Sequence, residues 1–254
     1  MIDNHYYHAK ANSGAAAAAL GAEAIQRAIA ERGSANVVVA TGASQFEMLE
    51  ALVKHDEVDW SRVTGFHLDE YVGISDDAQA SFRRYLRERF TGRLPTLGAF
   101  HFIEGDASDL DAEIARLNGL LDSHPIDVTF AGIGENGHLA FNDPPADFDT
   151  TGAFKRVVLD EPCRLQQLRE GWFPTFDAVP TEAVSMTVQR IMASATIVVT
   201  VSDERKAEAV KNVLEGAVTN LCPASILQQH AACHLFLDRG AASKLSQKLT
   251  ERAA

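Results

Sequence analysis

The run Ile126-Asp-Val-Thr-Phe-Ala131 has the apolar, β-branched character of a buried strand, and it empties at once into Gly132, Gly134 and Gly137. His138 and Asp143 follow, five residues apart. A strand ending in a glycine-rich polar junction delivers reactive side chains to the carboxyl end of a parallel sheet, where open α/β folds bind small ligands. Glycine suits that junction because it accepts positive φ and admits a ligand close to the backbone.

The rest of the chain repeats this strand-then-helix pattern. An alanine-rich helix over Ala11–Glu31 precedes a buried strand at Asn36–Ala40, the turn Thr41-Gly42-Ala43-Ser44 and a helix to about Lys54. A strand at Val63–Leu68 opens into a loop that begins Asp69-Glu70, then a helix over Phe82–Phe90. A helix at Leu110–Leu121 leads to the Ile126–Ala131 strand. Thr196–Val201 and Ala232–Leu237 read as strands, Glu204–Leu214 and Ala241–Thr250 as helices. Such alternation predicts an α/β single-domain, Rossmann-like three-layer sandwich around a mostly parallel central sheet, spanning 1–254. Residues 143–180 are proline-rich and less regular, and are expected to form a lid or a small insertion.

Charge and composition exclude several functions. With 254 residues and 46% hydrophobic content, the chain can bury a sizeable core. Its formal charge of −12 repels phosphate polymers, which argues against nucleic acid but leaves a small phosphorylated metabolite open. No apolar run is long enough to span a membrane, and the amino end lacks the features of a secretory signal. Cys163, Cys222 and Cys233 are odd in number and lack metal-type spacing, so reduced thiols in the cytoplasm are expected. The nine histidines form no paired-ligand motif, so no metal is expected.

Four segments carry candidate chemistry. The turn Thr41-Gly42-Ala43-Ser44 sits where unpaired N–H groups at a helix start capture anions, although taken alone such a motif is more often an N-cap with a tight turn. Asp69 and Glu70 at a strand end offer a proton-transfer base and its support, or merely solvated loop charges. His67 is assigned a structural role. His138 can act as general acid, with Asp143 orienting the imidazole. Arg164, Arg169 and Lys206 are candidate phosphate clamps if they converge, and surface charges if they do not.

Taken together these segments resemble the glucosamine-6-phosphate deaminase (isomerase) family, within the wider group that includes 6-phosphogluconolactonases. The resemblance runs from about Ala35 to Leu245. Its motifs are Ala40-Thr-Gly-Ala-Ser44, Leu68-Asp-Glu-Tyr-Val-Gly73, Gly132-Ile-Gly-Glu-Asn-Gly-His-Leu-Ala-Phe-Asn142, Ser185-Met-Thr-Val188 and Lys206. The second motif and Gly137-His-Leu-Ala-Phe-Asn142 belong to the deaminase side.

The resemblance implies that an amino-sugar 6-phosphate is opened, isomerised and deaminated to a ketose 6-phosphate and ammonia, without a cofactor. It makes Asp69 the base between C2 and C1, with Glu70 beside it, and His138 the ring-opening group. It places the phosphate on Thr41, Gly42, Ala43, Ser44, Arg169 and Lys206. N–H groups of the glycine loop, at Gly134 and Gly137, are candidate donors to developing charge. Two positions depart from the family: Asp143 stands where glutamate is usual, and Asn136 where the deaminases carry aspartate. Asn136 is therefore expected to accept the imidazole N–H without supplying negative charge, which lowers the protonation of His138. Lactone hydrolysis on the same scaffold and a non-catalytic sugar-phosphate sensor are the rival readings. A homo-oligomer is compatible with the resemblance, and the configuration of the sugar at C4 stays open.

Overall fold

The structure, a computed structural model, describes residues 2–246. From the amino end the chain runs β1 (Asp3–Tyr6), α1 (Lys10–Arg32), β2 (Ala35–Val39), α2 (Phe46–Leu52), β3 (Val63–His67) and β4 (Asp69–Tyr71). It continues through α3 (Phe82–Arg89), β5 (Ala99–His101), α4 (Leu110–Asp122), β6 (Val128–Ala131), β7 (Phe154–Val158) and α5 (Glu161–Arg169). β8 (Glu182–Met186), α6 (Val188–Met192), β9 (Thr196–Val201), α7 (Ala207–Glu215) and β10 (Cys233–Leu237) complete it.

Seven strands form a parallel sheet in the order β1-β10-β9-β6-β2-β3-β5, and its two faces are covered by separate apolar clusters. Its central strands are rich in Val, Ile and Thr because side chains on both faces must pack under helices. α1 can approach closely because its sheet-facing positions are small: Gly21 rests on the Phe130 ring, and Ala17, Ala18 and Ala22 are buried. The chain winds outward from β2 through β3 to β5, then returns to β6 on the other flank of β2. The β2–β6 boundary is thus the topological switch point, and a crevice opens at the carboxyl ends of these strands.

The alternation expected from sequence holds, with specific corrections. Asp69-Glu70 lies on β4 rather than in a loop, because its backbone pairs antiparallel with β8 in a second, three-stranded sheet, β4-β8-β7. β1 and β5 are edge strands, and β1, Asp-Asn-His-Tyr, carries no apolar pattern by which to be recognised. Residues 143–180 contain β7 and α5, so much of the segment is regular structure. Of the expected helix Ala241–Thr250, residues 241–244 form turns, 245 and 246 are not helical, and the remainder lies outside the described residues. No helix among the described residues is long and apolar enough to cross a membrane.

Candidate active site

The crevice at the switch point forms a cleft lined from the ends of four strands. Thr41 to Gln45 line it after β2, Leu68 and Asp69 after β3, Gly132 to Gly134 after β6, and Lys206 after β9. His138, Ala140 and Phe141 complete the glycine-loop wall, while Gln166, Gln167 and Glu170 face the cleft from α5 and its end.

Each wall has a local cause. Gly42 has φ +101° and ψ 168°, a conformation that only glycine enters without strain, and this sets the bend that exposes Ala43 and Ser44. Tyr85 anchors the turn by donating from its hydroxyl to the Gly42 carbonyl at 3.0 Å. Gln45 joins two loops by donating from Nε2 to the Ala131 carbonyl at 3.1 Å. Gly134 is dictated by close approach, since a Cβ there would overlap the His138 ring.

Asp69 is buried, and desolvation, reinforced by the neighbouring Glu70, pushes its carboxyl up to about 8. Strand alternation sends Glu70 the other way. Its carboxylate accepts from the N–H groups of Tyr71 (2.9 Å), Phe82 (3.2 Å) and Arg83 (2.8 Å), and from the Ser81 hydroxyl (3.1 Å). Arg83 Nε stands 3.6 Å away. Glu70 therefore organises the start of α3 and does not line the cleft, which corrects its expected contact with substrate. His67 is fully buried beside the Phe102 ring, and desolvation drops it to about 3, so it stays neutral in a structural place.

His138 and Asp143 form a buried pair, Nδ1 to Oδ1 at 2.9 Å. Burial alone would raise the Asp143 pKa, but His138, Asn136 and the Asp160 N–H outweigh it and hold the carboxyl below its usual value. Asn136 does not touch the imidazole ring. Its Nδ2 donates to Asp143 at 2.9 Å and to both oxygens of Asp160 at 3.3 and 3.2 Å, while Oδ1 accepts from the His138 backbone N–H at 3.1 Å. The expected imidazole–Asn136 bond is thus replaced by an imidazole–Asp143 bond, with Asn136 as the donor that separates two carboxylates. Gly137, at φ +83°, turns the loop behind the cleft and does not line it. The Gly134 and Gly137 N–H groups, expected as donors to developing charge, instead donate to the carbonyls of His138 and Gly134 at 3.0 Å each.

Lys206 is buried on the cleft wall, where desolvation lowers its pKa against the opposing pull of Glu170 and Glu135. The two expected arginines do not converge on it. Arg169 is 58% exposed on the outer side of α5 and pairs with Glu135 at 3.4 Å. Arg164 lies over the Phe176 ring and donates to the carbonyls of Phe176 and Val179. The structure therefore brings Thr41, Gly42, Ala43, Ser44, Asp69, Gly134, His138 and Lys206 to one cleft, with Asp143 behind His138. Gln45, Gln166, Gln167 and Glu170 were not anticipated. For Gln166, Gln167 and Glu170 the sequence signal is the polar spacing of α5, which puts them on one side of a helix end while Arg169 falls outward; Gln45 carries none.

Among the described residues, two groupings have the spacing of metal ligands: Asp3, His5 and His234 near the amino ends of β1 and β10, and His138, Asp143 and Cys163. In the second, His138 Nδ1 already bonds Asp143, and burial pushes the Cys163 thiol far up, so it stays protonated.

A doubly wound sheet with a buried carboxylate, a histidine–carboxylate pair and one lysine at its switch point defines an α/β protein built to hold a small polar ligand. The chain belongs to the glucosamine-6-phosphate isomerases/6-phosphogluconolactonase family, whose model matches residues 8–235. It is 39% identical over 207 residues to the glucosamine-6-phosphate deaminase of Streptococcus suis, covering 82% of this chain and 86% of the relative. It is 37% identical to that of Listeria innocua, with coverage of 88% and 93%. The solved structure of a monomeric glucosamine-6-phosphate deaminase superposes with a TM-score of 0.85 at 31% identity, covering 95% of this chain and 99% of the other. A 6-phosphogluconolactonase from Shewanella baltica shares the fold at TM-score 0.77 and 19% identity, over 94% and 97% of the two chains.

Proposed function

We propose that this protein isomerises and deaminates an amino-sugar 6-phosphate, taking glucosamine 6-phosphate and water to fructose 6-phosphate and ammonia. The observation that carries the reading is the placement of Asp69 and the His138–Asp143 pair on one cleft wall system. A proton shift between adjacent sugar carbons needs one base that removes the C2 proton and returns it to C1. Asp69 has the burial and raised pKa of such a group. His138, with Nδ1 held by Asp143, keeps its other ring nitrogen to exchange a proton with the ring oxygen as the pyranose opens. After the shift the C2 amine is an imine, to which water adds, and ammonia leaves with the proton that water supplied. Thr41, Ser44 and Lys206 are the groups for the phosphate end.

Lactone hydrolysis requires no base at C2, so a buried carboxylate in Asp69's place weighs against it. Asn136, the departure from the family that would favour a non-catalytic sensor, stands behind the cleft and leaves the His138–Asp143 pair intact. We place the protein in the cytoplasm, consistent with three unpaired cysteines. The reading is tested by incubating the protein with glucosamine 6-phosphate, galactosamine 6-phosphate and 6-phosphogluconolactone. Ammonia from an amino sugar is the expected result, and acid release from the lactone alone would reject it.

A further inference from the structure

The lysine end of the cleft carries a feature that the deaminase reading does not require. Glu170 lines the cleft with its side chain 7% exposed, and its Oε1 lies 3.5 Å from Nζ of Lys206, itself 7% exposed. Gln166 Nε2 donates to Oε1 at 2.9 Å and Trp172 Nε1 to Oε2 at 3.1 Å, so the carboxylate is held in place rather than caught in passing. Apart from Asp69 and the titratable His138, Glu170 and Lys206 are the charged side chains on the wall. Arg164 and Arg169, which could have tipped the balance, are engaged elsewhere. On the lining, the end that would receive a phosphate therefore carries one cation and one anion, with Glu135 and Arg205 also within electrostatic reach of Lys206. A phosphate dianion arriving at Lys206 meets a carboxylate in the same shell.

We propose that Glu170 is a specificity-determining residue that competes with a phosphate for Lys206 and so narrows the cleft's preference for a phosphorylated over an unphosphorylated amino sugar. This rests on the reading of the cleft as an amino-sugar site. A hydroxymethyl group can donate to Glu170 and accept from Lys206 without separating them. A phosphate must break the pair, leaving a buried carboxylate beside its own charge. Gln45, on the same cleft lining, has a buried Oε1 with no hydrogen-bond partner among the described residues, a neutral acceptor of the kind that recognises a hydroxyl.

The test compares wild type with Glu170→Gln, which keeps the shape and an acceptor for Trp172, and with Glu170→Ala, which removes the group. Inorganic phosphate binding is measured by calorimetry, and kcat/KM is measured for glucosamine 6-phosphate and for glucosamine. Both variants should bind phosphate roughly tenfold or more tightly, the size of one charge-assisted contact. The kcat/KM ratio of phosphorylated to unphosphorylated sugar should rise by a similar factor. Unchanged or weaker phosphate binding in both variants would overturn the proposal and make Glu170 a support that positions Lys206. The calorimetric arm does not depend on turnover, so absence of ammonia from either sugar would reject the deaminase reading while leaving the role of Glu170 decided.

Discussion

Asp69 illustrates how one buried side chain links stability to chemistry. Its folded-state carboxyl holds a proton up to about pH 8, whereas an unfolded aspartate releases it near 3.8. Between these values the folded state binds more protons, so this residue's contribution to stability falls as pH rises. Asp69→Asn should therefore unfold with wild type below pH 3.8 and at a higher temperature by pH 8, gaining about 2–4 °C per kcal/mol in a chain of this size. The same substitution should lower turnover by about 10²–10⁴, and wild-type kcat/KM should climb with pH toward the Asp69 pKa. A melting temperature that responds identically to pH in both proteins would show that Asp69 is not the perturbed group. Asn136 makes the opposite case. Asn136→Asp replaces a donor shared by Asp143 and Asp160 with a third acceptor, and should cost about 1–3 kcal/mol near neutrality. Carboxylates crowded together have raised pKa values, so the loss should shrink as pH falls, which denaturation at pH 5 and 7.5 would reveal.

At the scale of elements, β4 and α3 act as one device. Alternation along β4 points Asp69 at the cleft and Glu70 into the start of α3, so two adjacent acids have different tasks. Glu70→Gln leaves acceptor capacity for some of the N–H groups but removes the charge that faces Arg83. It should destabilise the protein by about 1–3 kcal/mol through the weakened acceptor at the start of α3, since Arg83 keeps its ion pair with Asp106 at 2.9 Å, while KM for the sugar changes little. A raised KM at unchanged melting temperature would instead restore the expected substrate contact. This division of labour was not legible in the sequence, where Asp69-Glu70 looked like one loop motif. The strand that separates them is only three residues long and exists because β8 pairs with it from more than a hundred positions away. The same holds for α5: the basic residues Arg164 and Arg169 attract notice in sequence, yet helix phase turns Gln166, Gln167 and Glu170 inward instead.

For the whole molecule, the parallel sheet and its switch point could be read from the alternation of buried strands and helices, because period and burial are local signals. Edge strands could not, since β1 is polar and β5 spans three residues. That Asp69 and His138 line one cleft was legible because they follow the carboxyl ends of β3 and β6, whose positions follow from the sheet. Its charge balance was not, since Glu170 and Lys206 meet only when α5 folds over the carboxyl end of β9. The central claim is that Asp69 carries a proton between C2 and C1 of an amino-sugar phosphate bound in this cleft. The most direct measurement is ammonia and ketose 6-phosphate formed from glucosamine 6-phosphate in deuterated water, by wild type and Asp69→Asn. Wild type should release the two products in equal amounts with deuterium at C1 of the ketose, and the variant should release neither at a rate above about a hundredth of that. Ammonia release by Asp69→Asn close to the wild-type rate would contradict the account.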